Sequence, residues 1–186
     1  LLGLAPHAIQ QLRELGECIN YNAYGDSVDD LNYHPGDLYR TLAPYSDPFQ
    51  FIAGEPVLDV LRQAMADDLF RASEARAYAE SRAHALILLP AEAWSRRVRG
   101  ILGNRLAQQH PERAHAVLTA RRDGGFVVSV RAPVASPAGA DALCRQFESG
   151  GGRAGAGGID HLPQAELDRF ARAFTAAYPD VARPSA

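Results

Sequence analysis

The chain contains no lysine; all nineteen of its basic residues are arginine. A GC-rich genome explains the bias, and the absence removes the Lys-Ser/Thr pair that a Walker A phosphate loop needs. Cysteine is nearly missing too. Cys18 and Cys144 stand alone and far apart, which excludes a disulfide framework and a metal-knuckle spacing and leaves buried free thiols in a reducing compartment as the expectation. No apolar run approaches the length of a bilayer crossing; the longest compact one is Ala85–Leu89. No signal peptide is evident. The only methionine is Met65, so the chain does not open on an initiator, and the expectation is a piece of a longer cytoplasmic protein.

What is present is ordinary in bulk and uneven in detail. Hydrophobic residues at 47% and charged residues at 22% suit a globular protein of one good-sized domain or two small ones. Residues 1–90 carry 6 Arg against 13 Asp/Glu, and residues 91–186 carry 13 Arg against 9. The second half is therefore the better candidate for meeting an anion.

Periodicity divides the chain. Residues 6–17 suit a helix opened by Pro6, with Ile9, Leu12 and Leu15 on one face. Residues 18–51 are rich in Asn, Asp, Tyr and Pro and read as turns and short helices. In residues 56–82, Leu58, Leu61, Met65, Leu69 and Ala72 repeat at helical spacing, which predicts a long connecting helix. From residue 84 the pattern becomes β-α-β-β-α-(β)-α, with Asp123-Gly124-Gly125 as a hairpin signal between two strands. The expected fold class is α/β: a helical segment over 1–55, the connecting helix over 56–82, and a compact α/β domain with a small mixed sheet over 84–180. The closing residues 180–186 are expected to fray.

One stretch departs from ordinary packing chemistry. Residues 150–158 read GGGRAGAGG, six glycines around Arg153. Successive inward amides can form an anion nest, and Arg153 would add a bidentate contact. Equally, small residues can simply let a strand and a helix pack closely. Gly150, Gly152 and Gly155 fit G-x-G-x-x-G, but they follow a predicted helix rather than a strand, so a dinucleotide fingerprint fails on context.

The run from Phe126 to Pro163 resembles the DHHA1 domain of the DHH phosphoesterase superfamily, which includes RecJ-like exonucleases. Ser129-Val130-Arg131 matches the family strand. Gly150, Gly151 and Gly152 match its glycine triplet, and Ala156, Gly157 and Gly158 its end. Arg153 stands where the family has His, which keeps a cation and a donor but loses a titrating imidazole. The resemblance implies binding of nucleic acid or nucleotide phosphate by Ser129, Arg131, Gly150–Gly152 and Arg153, with His161 able to add a hydrogen bond. It also implies a preceding metal-binding domain carrying Asp-His-His and Mn2+ or Mg2+. No Asp-His-His occurs here, so the chain reads as a substrate-binding part without its own cofactor or catalytic residues. A homodimer is a further possibility, and no membrane contact is implied.

Arg96, Arg97 and Arg99 read as a solvated helix face. Asp26, Asp29 and Asp30 lack a full calcium-loop pattern and read as caps or as a link to the preceding domain. Two other functions stay open. Arg153–Gly158 partly fits the pyrophosphate loop of an acyl-CoA-binding transferase, and the acidic first half would suit a non-catalytic interaction module.

Overall fold

The computed structural model describes residues 3–180. Four helices come first: α1 (Pro6–Tyr21), α2 (Pro35–Leu42), α3 (Pro48–Gly54) and α4 (Val57–Ser73). Proline sits at the first helical position of α1, α2 and α3, where its missing N–H costs nothing and its fixed φ suits the helix. The His34 and Asp47 side chains cap α2 and α3. The remainder alternates: β1 (Ala77–Glu80), β2 (His84–Leu89), α5 (Ala93–Gln109), β3 (Ala114–Ala120), β4 (Phe126–Arg131), α6 (Ala140–Cys144), β5 (Gly150–Arg153), β6 (Ala156–Leu162) and α7 (Leu167–Ala177). The fold is α/β, as the pattern predicts. The terminal stretch expected to fray lies, apart from Asp180, outside the described residues. Among those residues no helix is long and apolar enough to cross a membrane.

All six strands form one mixed sheet in the order β1-β2-β3-β4-β6-β5. β2 and β3 pair in parallel through the α5 crossover, and the other pairs are antiparallel. Alternation along β4 divides the faces. Phe126, Val128 and Val130 join Phe170 and Phe174 of α7 and Leu143 of α6 in the larger core. The other face turns Val127, Ser129 and Arg131 toward the α5 side, where Val98 and Leu102 pack on Val117.

Two elements differ from the sequence expectation. The helix expected over 56–82 ends at Ser73, and Ala77–Glu80 pairs with β2 as an edge strand. Alanine and arginine favour helix, but the open edge of β2 offers a ladder that outweighs a weak local preference. α4 is also no free rod: it packs on α1 and α5, burying Leu58, Leu61 and Ala72. The second difference is the glycine stretch, which forms a β-hairpin of β5 and β6 in place of a nest of inward amides. Cys18 and Cys144 are both free and buried, and burial pushes each thiol up to about 11.

The helical first half is locked to the sheet unit by buried charge. Arg96 donates to both carboxylate oxygens of Asp30, from Nε at 2.8 Å and Nη2 at 2.5 Å, with side chains 4% and 2% exposed. The Asp30 carboxylate also accepts the amides of Asp26 and Ser27. The Arg96 bonds, followed by these amides, hold it well below the usual carboxylate range against the opposing effect of burial. Beside it, Arg97 donates to Asp68 at 2.7 Å and to Tyr21 Oη at 3.1 Å, and Tyr21 donates to Asp68. Arg96 and Arg97 are thus structural, not a solvated face. Removing one partner strands a buried charge. Arg96→Ala is therefore expected to cost about 3–5 kcal/mol in urea denaturation, whereas the paired Asp30→Asn/Arg96→Met variant recovers most of that loss.

One buried histidine sets an acid limit. Burial, reinforced by Arg113 and His110 and opposed by the His110 backbone, pushes His115 down to about 4. A folded-state value below the unfolded one of about 6.5 means the unfolded chain binds the extra proton. The contribution is fully present above about pH 6.5 and is lost as pH falls toward 4. Stability should drop by about 2 kcal/mol across that window, allowing for residual screening. His115→Phe should flatten this part of the profile, measured by thermal melts at a series of pH values.

Candidate nucleic-acid interface

The hairpin β5–β6 turns at Ala154-Gly155 and pairs Gly151 with Gly158, Gly152 with Gly157, and Arg153 with Ala156. β6 in turn pairs with β4, setting Ser129 against Gly158 and Arg131 against Ala156. Directly opposed residues share a face. One cross-strand row is therefore Arg131–Ala156–Arg153, and the next is Ser129–Gly158–Gly151. Both rows lie on the α5 side.

The opposite side of the hairpin explains several glycines by packing alone. α6 lies against β5 and β6 there. A Cβ on Gly150 would fall 1.8 Å from the Cys144 carbonyl oxygen, and one on Gly157 would fall 2.7 Å from that of Ala140. Gly152 has a φ of 145° and would meet the Ala156 carbonyl oxygen at 2.5 Å. Gly151 is different: nothing lies within 4 Å of its Cβ position. The close-packing account therefore holds for Gly150, Gly152 and Gly157. It does not account for the bare, open position at Gly151. No anion nest forms, because the amides of an extended strand point alternately to its two edges and do not converge.

The open face has a cationic rim. Arg131 is anchored: its Nε donates to Asn104 Oδ1 at 2.7 Å, and its Nη1 donates to Ser129 Oγ and to the Val130 carbonyl, both at 3.0 Å. Gly103 of α5 makes room, its Cβ position lying 3.7 Å from Arg131 Cγ and 3.8 Å from Ser129 Oγ. Arg153 stands exposed across Ala156, about 10 Å away between Cα atoms at normal strand spacing. Among the described residues neither arginine has a carboxylate within ion-pair distance. Burial, and then the neighbouring Arg153, pull the Arg131 guanidinium below its ordinary value, though Arg remains charged at neutral pH. Asn104 and Gln108 of α5 complete a shallow groove of about 650 Å³ along this rim.

The structure thus brings together Ser129, Arg131, Gly151 and Arg153. It does not bring His161 to them. His161 lies toward the far end of β6, its amide bonded to Ser149 Oγ at 3.0 Å and its ring against Gly125 in the β3–β4 turn. Gly150 and Gly152 lie on the same strand but turn their Cβ positions away from the groove. Asn104 and Gln108 went unnoticed in the sequence, where amides on a helix carry no signal without knowledge of which strand lies beneath.

Among the described residues no three His, Cys, Asp or Glu side chains gather closely enough to hold a metal ion. The residues present do not fit the metal pair that the family resemblance assigns to a preceding domain.

The architecture defined here is a six-stranded mixed sheet with a glycine hairpin at one edge. No family model and no curated protein matches the chain. Among solved structures, the chain is similar to RecJ from Thermus thermophilus in complex with Mn2+. The TM-score is 0.61 at 17% identity, covering 91% of this chain and 24% of that one. RecJ from the same organism in complex with Mg2+ gives a TM-score of 0.54 at 20% identity, covering 77% and 23%. The chain spans about a quarter of the length of those RecJ chains, and the likeness is one of fold.

The two kinds of glycine separate by experiment. Gly157→Ala should cost about 1–3 kcal/mol through overpacking against α6. Gly151→Ala should stay within about 0.5 kcal/mol of the parent, as an unobstructed surface change does. Urea denaturation of both variants distinguishes them.

Proposed function

We propose that this chain is the substrate-holding part of a DHH-type phosphoesterase, gripping the phosphate backbone of nucleic acid or the phosphate of a nucleotide. The observation that carries the reading is the Arg131–Ala156–Arg153 row. Two guanidinium groups without carboxylate partners flank a small residue beside a glycine floor, so a phosphate can be met from both sides while its sugar lies close to the sheet. The resemblance over Phe126–Pro163 and the RecJ-like fold support the same assignment. On this reading Mn2+ or Mg2+ and the bond-breaking step belong to a preceding domain, which is also the chain's main partner, and the protein is cytoplasmic.

The competing readings have less behind them. A pyrophosphate loop of the acyl-CoA kind needs a helix opening directly after the glycines, and here a second strand follows instead. An acidic interaction surface has no specific observation in its favour, since Asp30 and Asp68 are turned inward onto Arg96 and Arg97.

Fluorescence polarisation of a labelled short single-stranded oligonucleotide tests the proposal. Binding should weaken with salt, and Arg153→Ala should reduce affinity about tenfold and lower the salt slope by about 0.7. His161→Ala should leave binding unchanged. Equal affinity of the parent and of both Arg131→Ala and Arg153→Ala would overturn it.

A further inference from the structure

A second, larger cavity lies away from the groove just described. It occupies about 890 Å³ between α4, the C-terminal half of α5 and the strands β1–β3, a volume in the range of small-molecule sites. Its origin is legible in the register. His115 of β3 opposes Ala85 of β2, and Ala85 opposes Glu80 of β1. A methyl group therefore stands at the centre of a row whose two ends carry large side chains, and the space above it is left to the cavity. Met65 and Leu69 of α4 and Ile87, Leu102 and Leu106 form apolar walls.

The inner end is polar. His115 lines it and is 1% exposed, yet neither ring nitrogen makes a hydrogen bond within the chain, and Arg113 Nε is buried without a partner as well. The His110 carbonyl approaches the imidazole closely enough to oppose its loss of charge, but it does not complete a bond. A buried polar group left unpaired is costly, and such groups in a cavity mark where a ligand gains most. At this end the charge of Arg113 is already taken up: its Nη2 donates to Glu80 at 2.6 Å and to the Ser81 carbonyl at 2.5 Å. Of the other cations on the lining, Arg62 is paired with Glu14, and Arg105 is exposed. A neutral imidazole offers one donor and one acceptor, and Arg113 Nε–H offers a further donor. At the inner end an anion would find the Arg113 charge already committed to Glu80, and a cation would be repelled by Arg113.

We propose that this cavity binds a planar, uncharged nitrogen heterocycle, whose donor–acceptor edge pairs with His115 and Arg113 while its ring lies between Leu69, Ile87 and Leu106. The site is independent of the arginine groove and does not rest on the phosphoesterase reading.

Met65 makes the test direct. It is the only methionine and it lines the cavity, so a 13C-methyl label gives a single reporter in the 186-residue chain. Adenine and adenosine, titrated at neutral pH, separate a free base from a base carrying its sugar. At least one should move the Met65 methyl signal saturably. Ala85→Leu, which fills the hollow, and His115→Phe, which keeps the ring but removes both nitrogens, should each weaken the response at least about tenfold, with folding checked by thermal melt. If Ala85→Leu does not fold, His115→Phe alone decides. Arg131→Ala should leave the titration unchanged. An unmoved signal with both probes, an unaltered titration in His115→Phe, or loss of the response in Arg131→Ala would each overturn the proposal.

Discussion

The paired contacts of Arg96 with Asp30 and Arg97 with Asp68 are the constraint on which the arrangement of this molecule turns. Both arginines lie near the start of α5, and both acids belong to the helical first half. Burying two such pairs is a poor way to add stability, because desolvation consumes most of the attraction. It is an effective way to fix one docking, because any slip leaves charge stranded. α5 is held from one side by these acids and from the other by β3 and β4. It then carries Gly103 and Asn104 to the place where Ser129 and Arg131 emerge, and Leu102 and Leu106 to the wall of the large cavity. Both candidate sites therefore inherit their geometry from one helix whose position is set by charge.

The glycine hairpin shows how one sequence feature divides between packing and exposure. In a strand, neighbouring residues face opposite ways. Gly150 and Gly157 face α6 and are small because its carbonyls are close. Gly151 lies on the open face in the row of Ser129 and Gly158, where no neighbour demands its smallness. A binding surface can therefore be built into a strand whose other side is fully committed to the core. Composition cannot express this division, because the residue type is the same on both faces.

Much of the fold was legible because it rests on periodicity. The helix expected after the first strand of the 84–180 unit is α5, and it buries Trp94, Val98 and Leu102; the Asp123-Gly124-Gly125 turn joins two paired strands as expected. What escaped was set by partners distant in sequence. Ala77–Glu80 is a strand because β2 has a free edge, and nothing local announces it. Gly150–Arg153 has no side-chain pattern to read. Arg96 and Arg97 look like a solvated face until Asp30 and Asp68 arrive from 66 and 29 residues away. For the candidate site, Ser129, Arg131 and Arg153 were visible through the resemblance, whereas the helix amides beside them and the displacement of His161 depend on strand register.

The tight seat of α6 on the hairpin bears on how the protein withstands oxidants. Cys144 Sγ lies 2.8 Å from the position a Gly157 Cβ would occupy, so no oxygen atom fits between helix and sheet there. Burial keeps the thiol protonated and thus slow to react. A peroxide that did reach the sulfur would act as a wedge, prising the arginine-bearing hairpin away from its support. The same closeness that keeps the hairpin in register would turn one added atom into a lever against it.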